Sequence, residues 1–137
     1  MAVLVASAAG AGAASAARSP AQVVRAWSAA LDANRNEAAA RLFGPGARVV
    51  QPGVDVRLTT HALAVGFNDA LPCGGRIVRL QVRGATVVAT FVLDERPKHR
   101  CDGPGARAAA KFVVRRGKIV LWQQVAVPPA KPKPPTA

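Results

Sequence analysis

The chain has 137 residues, half of them hydrophobic, and its 19 Lys and Arg against 7 Asp and Glu give a net charge of +12. This length leaves room for one domain and little else. A charge of this size favours contact with polyanions, whether nucleic acid, anionic lipid or acidic envelope polymers. The basic residues are dispersed, however, with Arg115-Arg116 as the longest run, and this pattern is more typical of a solvated basic surface than of a dedicated nucleic-acid site.

The first 18 residues form an apolar leader of small residues. Ala14-Ser15-Ala16 fits the small-x-small pattern of a signal-peptidase site, and the run over residues 3–5 fits part of an apolar h-region, although no basic n-region precedes it. The leader is too short and too rich in Gly and Ala for a membrane span. We interpret residues 1–18 as a signal peptide or a disordered leader, and expect export to the periplasm, the cell envelope or the medium.

Two cysteines, Cys73 and Cys101, bear on the same question. An even count in an exported chain predicts one disulfide, whereas in a reducing cytosol the two would remain thiols. No Cys/His set with metal-ligand spacing accompanies them. We therefore predict a Cys73–Cys101 disulfide, no metal site and no cofactor.

Three helices are predicted in the first half of the chain. Ser19 and Pro20 are typical of an N-cap and a first-turn proline, and the helix over residues 21–33 places Val23, Val24, Trp27 and Leu31 on one stripe. The segment NEAAARLF predicts a second helix ended by Gly-Pro-Gly at 44–46. The segment HALAVGFNDAL predicts a third, capped by Thr59 or Thr60. Between the last two, ARVVQPG and VDVRL predict short strands.

Four long strands follow in the segments RIVRLQVRG, ATVVATFVLDE, ARAAAKFVVRR and KIVLWQQVAV. We pair Val82 with Val87 and Phe112 with Leu121. This pairing gives the strands an apolar inner face and a basic outer face. The inner face begins with Val78 and ends in Leu121, Gln123 and Val125. The outer face comprises Arg79, Arg83, Arg107, Lys111, Arg115, Lys118 and Trp122. We expect one domain over residues 19–127, followed by a disordered tail rich in Pro and Lys over residues 128–137.

This order of elements, with AARLFGPGARVVQPG near the start and GKIVLWQQV at the end, resembles the nuclear-transport-factor-2-like superfamily, and within it the SnoaL-like proteins. The resemblance covers about residues 20–126. It implies an α+β fold in which three helices pack into a strongly curved antiparallel sheet, forming a cone with an internal pocket. Its members include isomerases, cyclases, epoxide hydrolases and non-catalytic binding domains, so the fold does not decide the function.

The catalytic positions of those enzymes carry different residues in this chain. Where ketosteroid isomerases have an Asp-Pro base, this sequence has Gln51-Pro52, and an amide cannot accept a proton at neutral pH. The oxyanion-stabilising Tyr has no counterpart, because the chain contains no Tyr. Where epoxide hydrolases have Trp-Arg-Asp, this chain has Trp122-Gln123-Gln124. Gln123 is expected to point inward, either as a ligand-binding amide or as a core amide bonded to backbone.

The remaining ionisable candidates are His61, which could act as an acid or base near the pocket mouth, and Asp69 on the same helix. Both also fit ordinary surface roles, a capping residue for His61 and a solvated salt bridge for Asp69. The predicted pocket residues are Trp27, Gln51, Phe67, Phe91, Phe112 and Gln123.

The leading hypothesis is an exported domain that binds a small apolar ligand in the cone or pairs with a second copy through its sheet, and that lacks the usual catalytic acids. The first alternative is an isomerase, dehydratase or hydrolase with relocated catalytic groups at His61 or Asp69. The second is a polyanion-binding module that uses the basic outer face, with an anionic envelope surface favoured over nucleic acid because only Trp122 offers a stacking surface.

Overall fold

The structure, a computed structural model, describes residues 17–130. In chain order its elements are α1 (Pro20–Asp32), α2 (Asn36–Arg41), β1 (Phe43–Gln51), β2 (Val54–Leu58), α3 (His61–Ala70), β3 (Gly74–Arg83), β4 (Thr86–Asp94), β5 (Arg107–Arg115) and β6 (Lys118–Val125). This order confirms the predicted α+β class. The predicted leader and tail lie mostly outside the described residues, and the predicted domain bounds stay predictions.

Two of the three helices begin where the capping residues predict; α2 instead starts at Asn36, and its N-cap Arg35 makes no side-chain capping bond. The Ser19 hydroxyl accepts a hydrogen bond from the Gln22 N–H, and the Gln22 side chain accepts one from the Ser19 N–H, which together form a capping box at the start of α1. Thr60 caps α3 by accepting a hydrogen bond from the Leu63 N–H. Within residues 17–130 no helix is both long and apolar enough to cross a bilayer.

The six strands form one open sheet in the order β2-β1-β6-β5-β4-β3, with the helices on its inner face. The prediction of an antiparallel sheet is wrong for one pair, because β1 and β6 are parallel. The chain leaves the β1–β2 hairpin through α3, enters the sheet at the far edge as β3, and returns to β1 through three antiparallel reversals. The three reversals leave β6 antiparallel to β3, and because β3 runs opposite to β1, β6 is parallel to β1 and the sheet is mixed.

The first strand is longer than the sequence predicts. The second helix ends at Arg41 rather than Phe43, and the Gly-Pro-Gly segment lies inside β1 rather than between elements. The β1–β6 register is irregular between Phe43 and Arg48, and Gly46 has a φ of 70°, a conformation that glycine adopts without strain. The irregularity explains why the segment carries no strand periodicity.

The last hairpin contains one extra residue in β6. Val113 pairs with Leu121 and Val114 with Ile119, which leaves Val120 unopposed. Because side chains alternate along a strand, a single extra residue exchanges the two faces for everything beyond it.

This bulge corrects the predicted orientation of the end of β6. Phe112 pairs with Trp122 rather than with Leu121, so Trp122 points inward, where it is 6% exposed and contacts Trp27. The prediction that Gln123 points inward is therefore wrong. The same prediction is wrong for Leu121 and Val125, which lie two positions away on the same strand. The bulge places the Trp122 ring in the core in place of the Gln123 amide, and the Trp122 Nε1 donor is buried there without a hydrogen-bond partner among the described residues.

A second bulge lies in β3 between Ile77 and Arg79. Ile77 and Leu80 pack against the core, whereas Val78 is exposed, so its predicted inward orientation is also wrong. Arg79 and Arg83 stay on the outer face, as predicted.

The structure contains the predicted disulfide between Cys73 and Cys101, whose Cα atoms are 4.7 Å apart. It joins the segment before β3 to the loop between β4 and β5. Such bonds persist in oxidising compartments, and this is a weak indication of a location outside the cytoplasm.

We expect Trp122→Ala to lower the free energy of unfolding by about 3–5 kcal/mol, because it removes a buried ring from the aromatic core. Gln123→Ala, the matched change on the outer face, should change it by no more than about 0.5 kcal/mol. Urea denaturation of both variants measures the difference. Equal destabilisation, or a larger effect at Gln123, would contradict the bulge at Val120.

We expect the Cys73→Ala/Cys101→Ala variant to lose about 3–4 kcal/mol of stability, since the disulfide closes a loop of 28 residues in the unfolded chain. Alkylation of the native protein without reductant, read by mass, should leave both sulfurs unmodified. Labelling of two thiols in freshly prepared protein would show that the bond does not form.

Candidate ligand cavity

A cavity of about 300 Å³ lies between α1 and the sheet. Its walls come from the second half of α1, from the ends of β1 and β6, from β4 and the first half of β5, and from the segment Leu71–Gly75, which we call the lip. The side chains of Ala108 and Ala110 make the sheet-side wall of β5, with Ala109 between them on the strand. Small side chains on this strand leave the space that larger ones would fill.

The aromatic end of the cavity is organised by Trp27. Its indole Nε1 donates a hydrogen bond of 2.8 Å to Oδ1 of Asn68 on α3, and Asn68 is fully buried. The Trp27 ring packs against Phe91, Phe112 and Trp122, with ring centroids 6.2, 5.3 and 6.3 Å away. These edge-to-face and tilted arrangements are favourable for aromatic pairs and fix the ring that forms the cavity wall.

Two amides lie side by side in the cavity wall, on the inner face of β1 and β6. Val49 pairs with Trp122 and Val50 with Gln123 in the parallel β1–β6 register, so Gln51 comes next to Gln124 on the inner face. Neighbouring strands are about 4.8 Å apart. Gln51 is partly buried and Gln124 is exposed, and both line the cavity. Each carboxamide offers two hydrogen-bond donors and one acceptor, so the pair can hold an uncharged polar group of a ligand.

The lip is fixed to the rest of the domain by three separate contacts. Asp32, the last residue of α1, accepts a hydrogen bond of 2.8 Å from the Gly75 N–H through Oδ1. A Cβ at Gly74 would lie 2.5 Å from the same oxygen, so the close approach requires glycine there. The disulfide of Cys73 is the second contact.

Arg96 provides the third. Its side chain is buried, and Nη1 donates to the carbonyl oxygens of Asn68 and Leu71 at 2.7 and 2.6 Å. Its Nη2 donates to the side chains of Asn34 and Asn36. Arg96 therefore joins the end of α3 and the start of the lip to the α1–α2 connection. Burial lowers the pKa of the Arg96 guanidinium, while the charges of Asp69 and Asp32 act in the opposite direction.

The structure brings together some of the predicted pocket residues. Trp27, Gln51 and Phe91 line the cavity. Phe112 is fully buried behind Trp27, and Phe67 packs against Phe43 and Trp122 in the core. These two support the cavity wall without lining it.

The two weak catalytic candidates lie outside the cavity lining. His61 Nε2 and the Glu37 carboxylate form an exposed hydrogen bond, and this bond lowers the pKa of the Glu37 carboxyl. The Asp69 carboxylate accepts a hydrogen bond from Asn36 and lies 3.3 Å from His99 Nε2. The polar partners of the Asp69 carboxylate among the described residues are therefore Asn36 and His99, rather than an arginine.

Sequence reasoning missed Gln124, Trp122 and Arg96. Gln124 and Trp122 point inward because of the bulge at Val120. The large side chain of Trp122 was the one feature of the sequence that indicated a buried position for it. Arg96 follows two acidic residues in a polar loop and gives no local sign of burial. Among the described residues, no group of three or more His, Cys, Asp or Glu side chains could hold a metal ion.

A scan against protein-family models finds no match for the chain, and a search of curated proteins finds none. Solved structures do match. A nuclear-transport-factor-2-like protein of unknown function from Cytophaga hutchinsonii superposes with a TM-score of 0.64 at 11% identity, over 78% of this chain and 88% of that one. The chain has the nuclear-transport-factor-2-like fold.

Two further structures share this fold. A proposed polyketide cyclase from Sinorhizobium meliloti has a TM-score of 0.61 at 18% identity, over 75% of this chain and 93% of that one. A ketosteroid-isomerase-like protein from Catenulispora acidiphila, solved in complex with trimethylamine, has a TM-score of 0.63 at 18% identity, over 77% and 85%. The superpositions establish the architecture. Because the identities are this low, the function has to be inferred from the residues of the site.

We expect Asp32→Asn to reduce the loss of stability as pH rises. Burial is the largest effect on the Asp32 carboxyl and raises its pKa above the ordinary 3.8, although the hydrogen bond from Gly75 lowers it. A raised pKa means that the stability this group contributes is complete below 3.8 and is lost as pH rises through the folded value. Because the side chain is partly exposed, the effect should be a fraction of a kcal/mol.

The measurement is urea denaturation between pH 3 and pH 7 of the wild type, Asp32→Asn and Asp32→Ala. Asn retains an acceptor for the Gly75 N–H, whereas Ala should be less stable than Asn throughout the range, since it leaves that donor without its partner. Parallel pH profiles for the wild type and Asp32→Asn would contradict the raised pKa.

Proposed function

We propose that the protein binds a small, uncharged and mostly apolar molecule in the cavity beneath its sheet. The observation that carries this proposal is the lining. Of its 16 residues, the only one whose side chain could ionise is Cys73, which is held in the disulfide, and the polar side chains are Gln51, Gln124 and Ser28. Trp27, Trp122 and Phe91 supply the aromatic surface.

The lining favours an uncharged ligand over an ion. A charged group taken out of water needs a counter-charge or several hydrogen bonds to offset its lost hydration, and the lining offers no counter-charge. The structural neighbour from Catenulispora acidiphila was solved in complex with trimethylamine. In this chain the aromatic rings could contact an ammonium group, but a net charge of +12 opposes its entry. The amide pair suits a hydroxyl, carbonyl or carboxamide.

The volume limits the size of the ligand. About 300 Å³ is at the lower end of the range of small-molecule sites, roughly 300–1,000 Å³. A ligand that fills this space would place its apolar part against the tryptophans and its polar group between the amides of β1 and β6. The disulfide supports a place for this protein in an oxidising compartment, and export remains part of the proposal.

The chain contains its own reporters of occupancy, because its only two tryptophans, Trp27 and Trp122, both line the cavity. Intrinsic fluorescence should therefore change when a ligand enters. We would titrate four probes of equal chain length, namely 1-octanol, octanamide, octanoate and octylamine. The two uncharged probes should bind, and the two charged ones should bind at least about tenfold more weakly.

Variants then identify the polar end of the cavity. Gln51→Leu/Gln124→Leu should weaken octanamide by about tenfold through loss of two hydrogen bonds, each worth about 0.5–1.5 kcal/mol. Gln123→Leu, the matched change on the outer face, should have no effect. Failure of all four probes to change the fluorescence would sink the proposal. Tighter binding of octanoate or octylamine than of the uncharged probes would show that the ligand class is wrong.

A further inference from the structure

The outer face of β3, β4 and β5 carries six basic side chains, and all helices of the described chain pack on the other side of the sheet. Arg76 and Arg107 face outward on either side of Val92, and Arg79 does so beside Thr90. The other three are Arg83 on β3 and, on β5, Lys111 and Arg115. We call this surface the basic face.

Little negative charge compensates the basic face. Asp94, at the end of β4, is the one carboxylate on these three strands, and it pairs across the sheet with Gly74. Within residues 17–130, the close contacts between a carboxylate and a basic or histidine side chain join Arg48 to Asp55, His61 to Glu37 and His99 to Asp69, so none uses a side chain of this face. Strands two apart are separated by roughly 10 Å, about one Debye length at 0.1 M salt. The charges therefore act together on an approaching anion.

The segment that follows β6 also reaches this face. Arg79 Nη1 donates a hydrogen bond of 3.0 Å to the carbonyl oxygen of Pro129. Because β5 and β4 separate β6 from β3, the segment must cross the outer face to reach Arg79. Thr90 and Ala109, which face outward on its path and pair with each other, are each only 3% exposed. In the sequence, Lys131 and Lys133 follow this contact.

No aromatic side chain belongs to the basic face. All six Phe and Trp residues of the chain pack in the core or against it, including Trp122, the one expected outside. Proteins that bind single-stranded nucleic acid stack bases on aromatic rings along a basic groove. Here the spaces between the cations are occupied by partly exposed Val88, Val92 and Val113. Cations and small aliphatic groups spread over three strands match a two-dimensional array of phosphates better than a stacked strand.

We propose that the basic face docks the protein onto the phosphate head groups of an anionic lipid bilayer. Each Lys or Arg near such a surface adds to the attraction, and the effect weakens within a Debye length. The valines allow close approach without desolvating an aromatic or acidic group. This surface and the cavity lie on opposite sides of the sheet, so docking does not depend on the ligand proposed above.

The test is co-sedimentation of the full chain with vesicles of phosphatidylglycerol and phosphatidylcholine, and with vesicles of phosphatidylcholine alone. Binding should occur only with the anionic vesicles and should fall steeply between 50 and 300 mM salt. Arg76→Gln/Arg83→Gln/Arg107→Gln should reduce it by roughly tenfold or more. The matched control is Arg25→Gln/Arg35→Gln/Arg41→Gln, which changes three exposed arginines of the helical side. Both variants lower the net charge from +12 to +9, that is 12 − 3, and the control should bind almost as well as the wild type.

Several results would overturn the proposal. Absence of binding to anionic vesicles, or equal losses in the two variants, would show that no docking face exists beyond the total charge. Tighter binding of a DNA duplex than of vesicles at the same salt would assign the face to nucleic acid. A dimer in light scattering that is lost only in the sheet variant would assign it to a second copy of the chain.

Discussion

The packing of Trp27 against the sheet is the interaction on which the rest of this domain depends. Its ring contacts aromatic residues from three successive strands, Phe91, Phe112 and Trp122, and its indole N–H is bonded to Asn68 of α3. One side chain of α1 thus joins the sheet to another helix. The same ring forms one end of the cavity, so the contact that stabilises the fold also determines where a ligand can lie.

Most of the fold can be predicted from local rules, because those rules act over a few residues. Ser19 and Thr60 mark helix starts through hydrogen bonds within one turn, and the pairing of Val82 with Val87 follows from a short turn. The parallel pairing of β1 with β6 joins segments some 70 residues apart, and no local pattern encodes which edge a returning strand chooses. The bulge at Val120 is a different failure, because the alternation of KIVLWQQV is consistent with either face until the size of the tryptophan decides it.

Less of the site than of the fold could be predicted, because several site residues are oriented by contacts far away in the sequence. Trp27, Gln51 and Phe91 could be assigned to the cavity because each follows from the periodicity of its own element or from the resemblance. Gln124 could not, since its orientation depends on an extra residue four positions earlier. Arg96 is an opposite case, a charged residue buried because carbonyl oxygens and asparagines from two distant segments surround it. A charged side chain is rarely buried without such partners, and its partners here lie 25 to 62 residues away.

The segment RAAAK in β5 shows how one strand can serve both faces of the sheet. Arg107 and Lys111 extend outward, whereas Ala108 and Ala110 face the cavity. Ala109 faces outward, where the segment after β6 crosses, and is nearly buried. In a chain so rich in alanine, these three residues could be attributed to composition alone. Their positions argue otherwise, because a larger side chain at 108 or 110 would fill the cavity, and one at 109 would displace the segment that reaches Arg79. The space available on both sides of β5 therefore requires alanine at positions 108–110, and Arg107 and Lys111 on either side of them supply positive charge to the outer face.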